Sequence, residues 1–128
     1  MHNPLAFIIE DDRDLNVIFS HALRSAQFDT EVIEDGTLGV ERLKAAVPDL
    51  VVLDLHLPGL SGIDVLRAIR RDTRLRSTRI IMSTADPRMA MTLQNEVDLV
   101  LIKPVSFRHL RDLAIQYYDA LAKGDTHQ

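Results

Sequence analysis

The chain has 128 residues, 46% hydrophobic and 27% charged, with 19 acidic and 15 Lys or Arg side chains giving a formal charge of −4. That composition describes one globular domain able to bury a core. It excludes a disordered tail, and the charge argues against general affinity for nucleic acid or anionic membranes. Cysteine is absent, so disulfides, thiolate metal sites and Cys nucleophiles drop out together, which suits a reducing cytoplasm; no apolar run nears the roughly 20 residues of a membrane span.

Short apolar runs at Leu5–Ile9, Thr30–Ile33, Leu50–Leu53, Arg79–Met82 and Leu99–Ile102 predict strands buried on both faces, as in a parallel sheet. Between the first two, Leu15, Ile18, Phe19, Ala22, Leu23 and Ala26 recur at helical spacing, which predicts one amphipathic helix. Asp35-Gly36 supplies the turn into a second helix marked by Leu38, Leu43 and Val47 and ended by Pro48. Ser61 and Asp64 form a capping-box pair before a third helix carrying Ile63, Leu66 and Ile69. Asp86-Pro87 starts a fourth, from Pro87 to about Asn95, whose Met89, Met91 and Leu93 make no clean stripe. The last carries Leu110, Leu113, Ala114, Tyr117 and Leu121. Five β-α units in strict alternation predict a parallel sheet with helices on both faces, joined by right-handed crossovers. Residues 1–122 read as one domain and residues 123–128 as a polar tail.

Ligands of such sheets bind beyond the carboxyl ends of the strands. Glu10, Asp11 and Asp12 follow the first strand. Asp54 closes the third, Ser83 and Thr84 the fourth, and Lys103-Pro104 the fifth. Carboxylates, a hydroxyl and a lysine therefore converge on one edge. If the first and third strands are neighbours, Asp11 and Asp54 face each other, and like charges that close raise a pKa or demand a cation. An oxygen-only set favours Mg²⁺ or Mn²⁺ over zinc. A lysine across the site suits phosphoryl transfer, and a carboxylate there can itself be the nucleophile. Asp12 reads as a helix cap. His21, His56 and His109 read as surface residues with no zinc spacing. Arg67, Arg70, Arg71, Arg74, Arg76 and Arg79 read as a solvated helix end and loop, since aromatic interleaving is absent.

Four strings in this order carry a resemblance. I-I-E-D-D-R-D (Ile8–Asp14) is similar to the acid-rich first loop of bacterial response-regulator receiver domains. V-V-L-D-L-H-L-P-G-L-S-G-I-D (Val51–Asp64) resembles their phosphoacceptor strand and loop. M-S-T-A (Met82–Ala85) and L-I-K-P (Leu101–Pro104) resemble their threonine and lysine motifs. The resemblance spans Leu5 to Leu121 and implies a doubly wound α/β fold, flavodoxin-like, with strand order 2-1-3-4-5 and five flanking helices. It implies that Asp54 accepts a phosphoryl group from a phosphohistidine on a histidine kinase or histidine phosphotransfer protein. Asp11 would bind Mg²⁺ directly and Glu10 through water, with Asp54 and the His56 backbone carbonyl completing the protein ligands. Thr84 would hydrogen-bond the phosphoryl group and Lys103 would pair with it. A cis peptide precedes Pro104 in the family, and His56 and Asp86 occupy positions that influence the hydrolytic water.

The implied protein is a phosphorylation-dependent switch, not a turnover enzyme, acting on an unknown output protein as a monomer or weak phosphorylation-dependent dimer, without direct nucleic-acid or membrane contact. The sequence departs from the family at Val100, where many members carry the Tyr or Phe that reports phosphorylation. The charge pairing of the dimerising subgroup is only partly present on the last helix. Alternatives are a degenerate receiver acting as a constitutive interaction module and an Asp-nucleophile phosphatase. The dehalogenase-like phosphatases want a second Asp where His56 stands. A nucleotide-binding domain would need a glycine-rich loop after the first strand, which is missing.

Overall fold

A computed structural model describes residues 3–124. Strands β1 (Leu5–Ile9), β2 (Asp29–Ile33), β3 (Leu50–Asp54), β4 (Arg79–Thr84) and β5 (Leu99–Ile102) alternate with helices α1 (Arg13–Ser25), α2 (Gly36–Ala45), α3 (Gly62–Arg71), α4 (Pro87–Leu93) and α5 (Phe107–Ala122). The strands form one parallel sheet in the order β2-β1-β3-β4-β5. Among the described residues no helix is long and apolar enough to cross a membrane.

The continuous apolar runs exist because the central strands are covered twice. Ala6, Ile8, Val52, Ile81 and Leu101 face Phe19 and Leu23 of α1 and Leu110 of α5. Phe7, Ile9, Val51, Leu53 and Met82 face Leu43 of α2, Leu66 and Ile69 of α3, and Leu93 of α4. Each such buried Val, Leu, Ile, Phe or Met side chain contributes about 1.5–3 kcal/mol. Register aligns Ile8, Val52, Ile81 and Leu99 in one row on the α1/α5 side. Two residues further along, Asp54, Ser83 and Leu101 form the next row, with Glu10 following Ile8 on the same side by alternation. The pleat thus turns from apolar to polar at the carboxyl edge.

Capping follows the sequence reading with adjustments. Asp12, Asp35, Asp86 and Ser106 cap α1, α2, α4 and α5. Ser61 Oγ accepts from the Asp64 amide at 3.3 Å, but the Asp64 carboxylate receives the Ser61 hydroxyl at 3.1 Å instead of its amide, so the capping box is half made. Leu38 and Val47 are both about half exposed and do not form the core face of α2. Gly39 lets the helix approach Ile9, with a hypothetical Cβ only 3.2 Å from its Cδ1, and Leu43 supplies the buried contact. Val47 lies beyond the helix, since the residue before a proline avoids helical backbone. Ile18 is likewise partly exposed, at the margin of the α1 stripe. Helix α4 ends at Leu93, short of Asn95, and its Met91 faces solvent. Of the tail read at residues 123–128, Lys123 caps α5 and residues 125–128 lie outside the described part.

At the amino edge of the sheet, Asp98 accepts from the Ile80 amide at 2.7 Å and from Arg79 at 3.2 Å, with Arg70 at 3.6 Å. Arg74 donates to the Leu43 carbonyl at 2.7 Å and pairs with Asp72 at 2.8 Å. Helix α1 ends here in a Schellman-type turn: Phe28 N–H donates to Leu23 O and Gln27 N–H to Arg24 O, with Gln27 at φ 78°. At the carboxyl edge, the β3–α3 loop is fastened to α2 and to β3. The Gly36 amide donates to Pro58 O at 3.0 Å. A Cβ on Gly36 would lie 1.8 Å from Leu60 O, and one on Gly62 would lie 2.2 Å from Asp54 O. The Lys103–Pro104 peptide is cis.

Candidate functional site

Strand ends position the site. Glu10 directly follows β1 and is 1% exposed, while Asp54 ends β3 and is 4% exposed. Two carboxylates so deeply buried on neighbouring strands repel each other and lose solvation, an arrangement that only compensating charge sustains. That charge comes from β5: Lys103 Nζ lies 3.1 Å from Glu10 Oε1 and 3.1 Å from Asp54 Oδ1. Its side chain starts beyond β5 and must pass over β4 to reach both acids.

Burial pushes the Glu10 carboxyl above its ordinary range; the Asp54 charge adds to the rise, while the Asp12 amide and Lys103 offset part of it. Burial alone would depress the Lys103 ammonium. Hydrogen bonds and charges from Glu10 and Asp54 outweigh it and hold the ammonium above its usual range. Glu10 Oε2 also accepts from the Asp12 amide at 3.1 Å, which ties the first acid to the start of α1.

Asp11 is exposed beside the pair. One carboxylate oxygen each from Glu10, Asp11 and Asp54 lie within 4.8 Å of one another. An all-oxygen donor set of net negative charge, partly open to solvent, fits a hard divalent cation such as Mg²⁺. Thr84 is buried at the end of β4, its Oγ1 accepting from the Asp86 amide at 3.0 Å. The Asp86 carboxylate in turn accepts the Arg88 and Met89 amides that open α4. His56 is exposed and outside the acid cluster, as are His21 and His109.

Five expected site residues, Glu10, Asp11, Asp54, Thr84 and Lys103, thus gather at one edge; the three acids lie in mutual reach and Lys103 reaches two of them. Two further polar residues, Asn16 and Ser83, belong to this region. Asn16, on the buried stripe of α1, donates its side-chain amide to Glu10 O at 2.7 Å. A polar residue at helical spacing with Phe19 and Leu23 was the available signal. Ser83 is buried beside Asp54 in the register.

The sheet order and the crossovers define a doubly wound, flavodoxin-like α/β protein with its acids at the ligand-binding edge. A family model of the response regulator receiver domain matches residues 6–115. The chain belongs to the response regulator receiver domain family, a component of two-component signalling systems. It is similar to the DNA-binding response regulator MtrA of Mycobacterium tuberculosis, with 35% identity over 103 residues, covering 80% of this chain and 45% of that protein. It is also similar to the chemotaxis protein CheY of Pseudomonas aeruginosa, with 31% identity over 109 residues, covering 82% of this chain and 88% of the relative. The chain therefore spans less than half the length of the MtrA relatives it matches.

Among solved structures, chemotaxis response regulator CheY4 of Vibrio cholerae superposes with a TM-score of 0.81 at 20% identity, covering 90% of this chain and 98% of that one. The receiver domain of a sensor histidine kinase from Pseudomonas aeruginosa, solved with magnesium in its active-site cleft, gives 0.81 at 23% identity, covering 91% and 98%. Both share the fold.

Proposed function

We propose that the chain is a phosphorylation-dependent switch in which Asp54 accepts a phosphoryl group from a phosphohistidine on a histidine kinase or histidine phosphotransfer protein. The observation that carries this reading is the sharing of one ammonium between two buried carboxylates, with a third carboxylate within 4.8 Å. Asp54, Asp11 and the His56 backbone carbonyl would hold Mg²⁺ or Mn²⁺ directly and Glu10 through water. When bound, the ion supplies positive charge that offsets the carboxylates and the phosphoryl oxygens.

Asp54 acts as nucleophile: a carboxylate oxygen attacks phosphorus, the N–P bond breaks, and the electron pair stays on the donor imidazole. Lys103, already within hydrogen-bond reach of Asp54, turns its ammonium to the phosphoryl oxygens. Thr84 offers its hydroxyl at the end of the adjacent strand. Phosphorylation removes a buried negative charge from Asp54 and adds a dianion beside it, so contacts of the β3–α3 and β4–α4 loops differ between states, and a partner that binds one better shifts the population. His56 and Asp86 flank the path of the hydrolytic water. Residues 1–122 are the switch domain, working in the cytoplasm as a monomer or weak phosphorylation-dependent dimer, with output through a partner protein and not through direct contact with nucleic acid or membrane.

Incubation with Mg²⁺ and acetyl phosphate tests the reading. A single phosphoryl mass increment is expected in the wild type and none in Asp54→Asn. An unlabelled wild type would overturn it and favour a constitutive interaction module, and a labelled Asp54→Asn would overturn it by placing the phosphoryl group on another residue.

A further inference from the structure

Among the described residues two buried side-chain polar atoms have no hydrogen-bond partner, Asn16 Oδ1 and Ser83 Oγ. A hydroxyl removed from water without a partner costs stability, and an alanine there would not. Ser83 is 1% exposed. It lies in register with Asp54 on one side and Leu101 on the other, on the α1/α5 side of the sheet. Neighbouring strands run about 4.8 Å apart, so Ser83 stands beside the Asp54 side chain. Lys103, reaching from beyond β5 to Asp54 on β3, passes over it. In the free protein Asp54 Oδ1 is already engaged by that ammonium, and the hydroxyl is left idle.

We propose that Ser83 is a positioning residue whose hydroxyl donates to the Asp54 acyl oxygen once Asp54 is phosphorylated, an inference that rests on the phosphoacceptor reading. When Lys103 moves to the phosphoryl oxygens, the remaining Asp54 oxygen, which the cation would engage through one lone pair, loses the ammonium from the other, and Ser83 is the unused donor beside it. In hydrolysis, water oxygen attacks phosphorus and the bond from phosphorus to the Asp54 ester oxygen breaks. The electron pair returns to Asp54 as carboxylate, a water proton passes to solvent, and inorganic phosphate leaves. Negative charge grows on the Asp54 carboxyl group during this step, so the Ser83 hydrogen bond strengthens toward the transition state and shortens the life of the phosphorylated form.

The test uses the intact chain, labelled with radioactive acetyl phosphate and Mg²⁺, cleared of donor and followed by loss of label. Ser83→Ala and Ser83→Val are expected to decay roughly three- to tenfold more slowly than wild type. Ser83→Thr, which matches valine in shape and restores the hydroxyl, is expected to decay near the wild-type rate. The unfolding midpoint of Ser83→Ala should equal or exceed that of wild type. Wild-type decay in Ser83→Ala and Ser83→Val, or slow decay in Ser83→Thr, would overturn the role of Ser83 alone. If the larger side chains prevent folding, Ser83→Ala decides by its decay. A wild type that takes no label would remove the phosphoacceptor reading, and this inference with it.

Discussion

At the carboxyl edge of the sheet, Glu10 and Asp54 are buried and share the ammonium of Lys103, with both nitrogen–oxygen distances at 3.1 Å. At the amino edge, Asp98 alone collects two guanidiniums and the Ile80 amide. One edge has more acid than base in a desolvated place; the other has donors to spare around a partly exposed acid. The first arrangement responds when charge is added or removed, while the second holds β4, α3 and the approach to β5 together. The same side-chain chemistry thus makes a cluster short of positive charge at one end and a clasp at the other, and burial decides which.

Removing the shared ammonium should break the contrast most severely. Lys103→Ala leaves two buried carboxylates without their cation, and urea unfolding in the presence of chelator should register a loss of about 2–4 kcal/mol. Added Mg²⁺ should return part of it. An unchanged midpoint in chelator would mean that solvent already screens the acids. The pH dependence has a defined sign. Lys103 is held above its ordinary 10.5 in the folded state, so its contribution is complete below that value and is lost as pH rises through the raised one. The wild type should therefore lose stability in strong alkali more steeply than Lys103→Ala.

A smaller effect is expected from Asp98→Ala, which orphans the Ile80 amide and frees Arg70 and Arg79. About 1–3 kcal/mol should be lost by chemical denaturation, while phosphoryl labelling of Asp54 persists. Loss of labelling at unchanged stability would merge the two edges into one system. The mildest change has the opposite sign. Gln27 holds a positive φ of 78° at the end of α1, and Gln27→Gly should raise stability by about 0.5–1 kcal/mol without altering labelling.

How far the sequence reveals this molecule follows from what each segment faces. β1 and β5 carry their expected bounds; β1 is covered on both faces, while the edge strand β5 buries only Leu101 fully and leaves Ile102 exposed, so there the apolar run alone marks the strand. β4 runs two residues past the apolar stretch, since Ser83 and Thr84 continue the ladder with polar side chains. In α2, Leu38 and Val47 are apolar yet half exposed, with Leu38 five residues from the buried Leu43 and so off its face, whereas the tight contact uses Gly39, which no hydrophobic pattern marks. Site acids were legible because each ends a strand. That Lys103 reaches Glu10 as well as Asp54 was not, because that contact crosses from the last strand to the first and depends on strand order. Ser83's idle hydroxyl likewise shows itself only when its surroundings are counted.

The closeness of Gly36 to Leu60 O and of Gly62 to Asp54 O has a consequence for how the chain can vary. At both positions even a methyl group would collide with main-chain oxygen, which cannot swing aside as a flexible side chain does. A saturation library scored for phosphoryl labelling should therefore show two empty columns, at positions that offer no side chain to the phosphoryl group. Tolerance to substitution in this domain should trace the path of the β3–α3 loop as sharply as it traces the clustered acids.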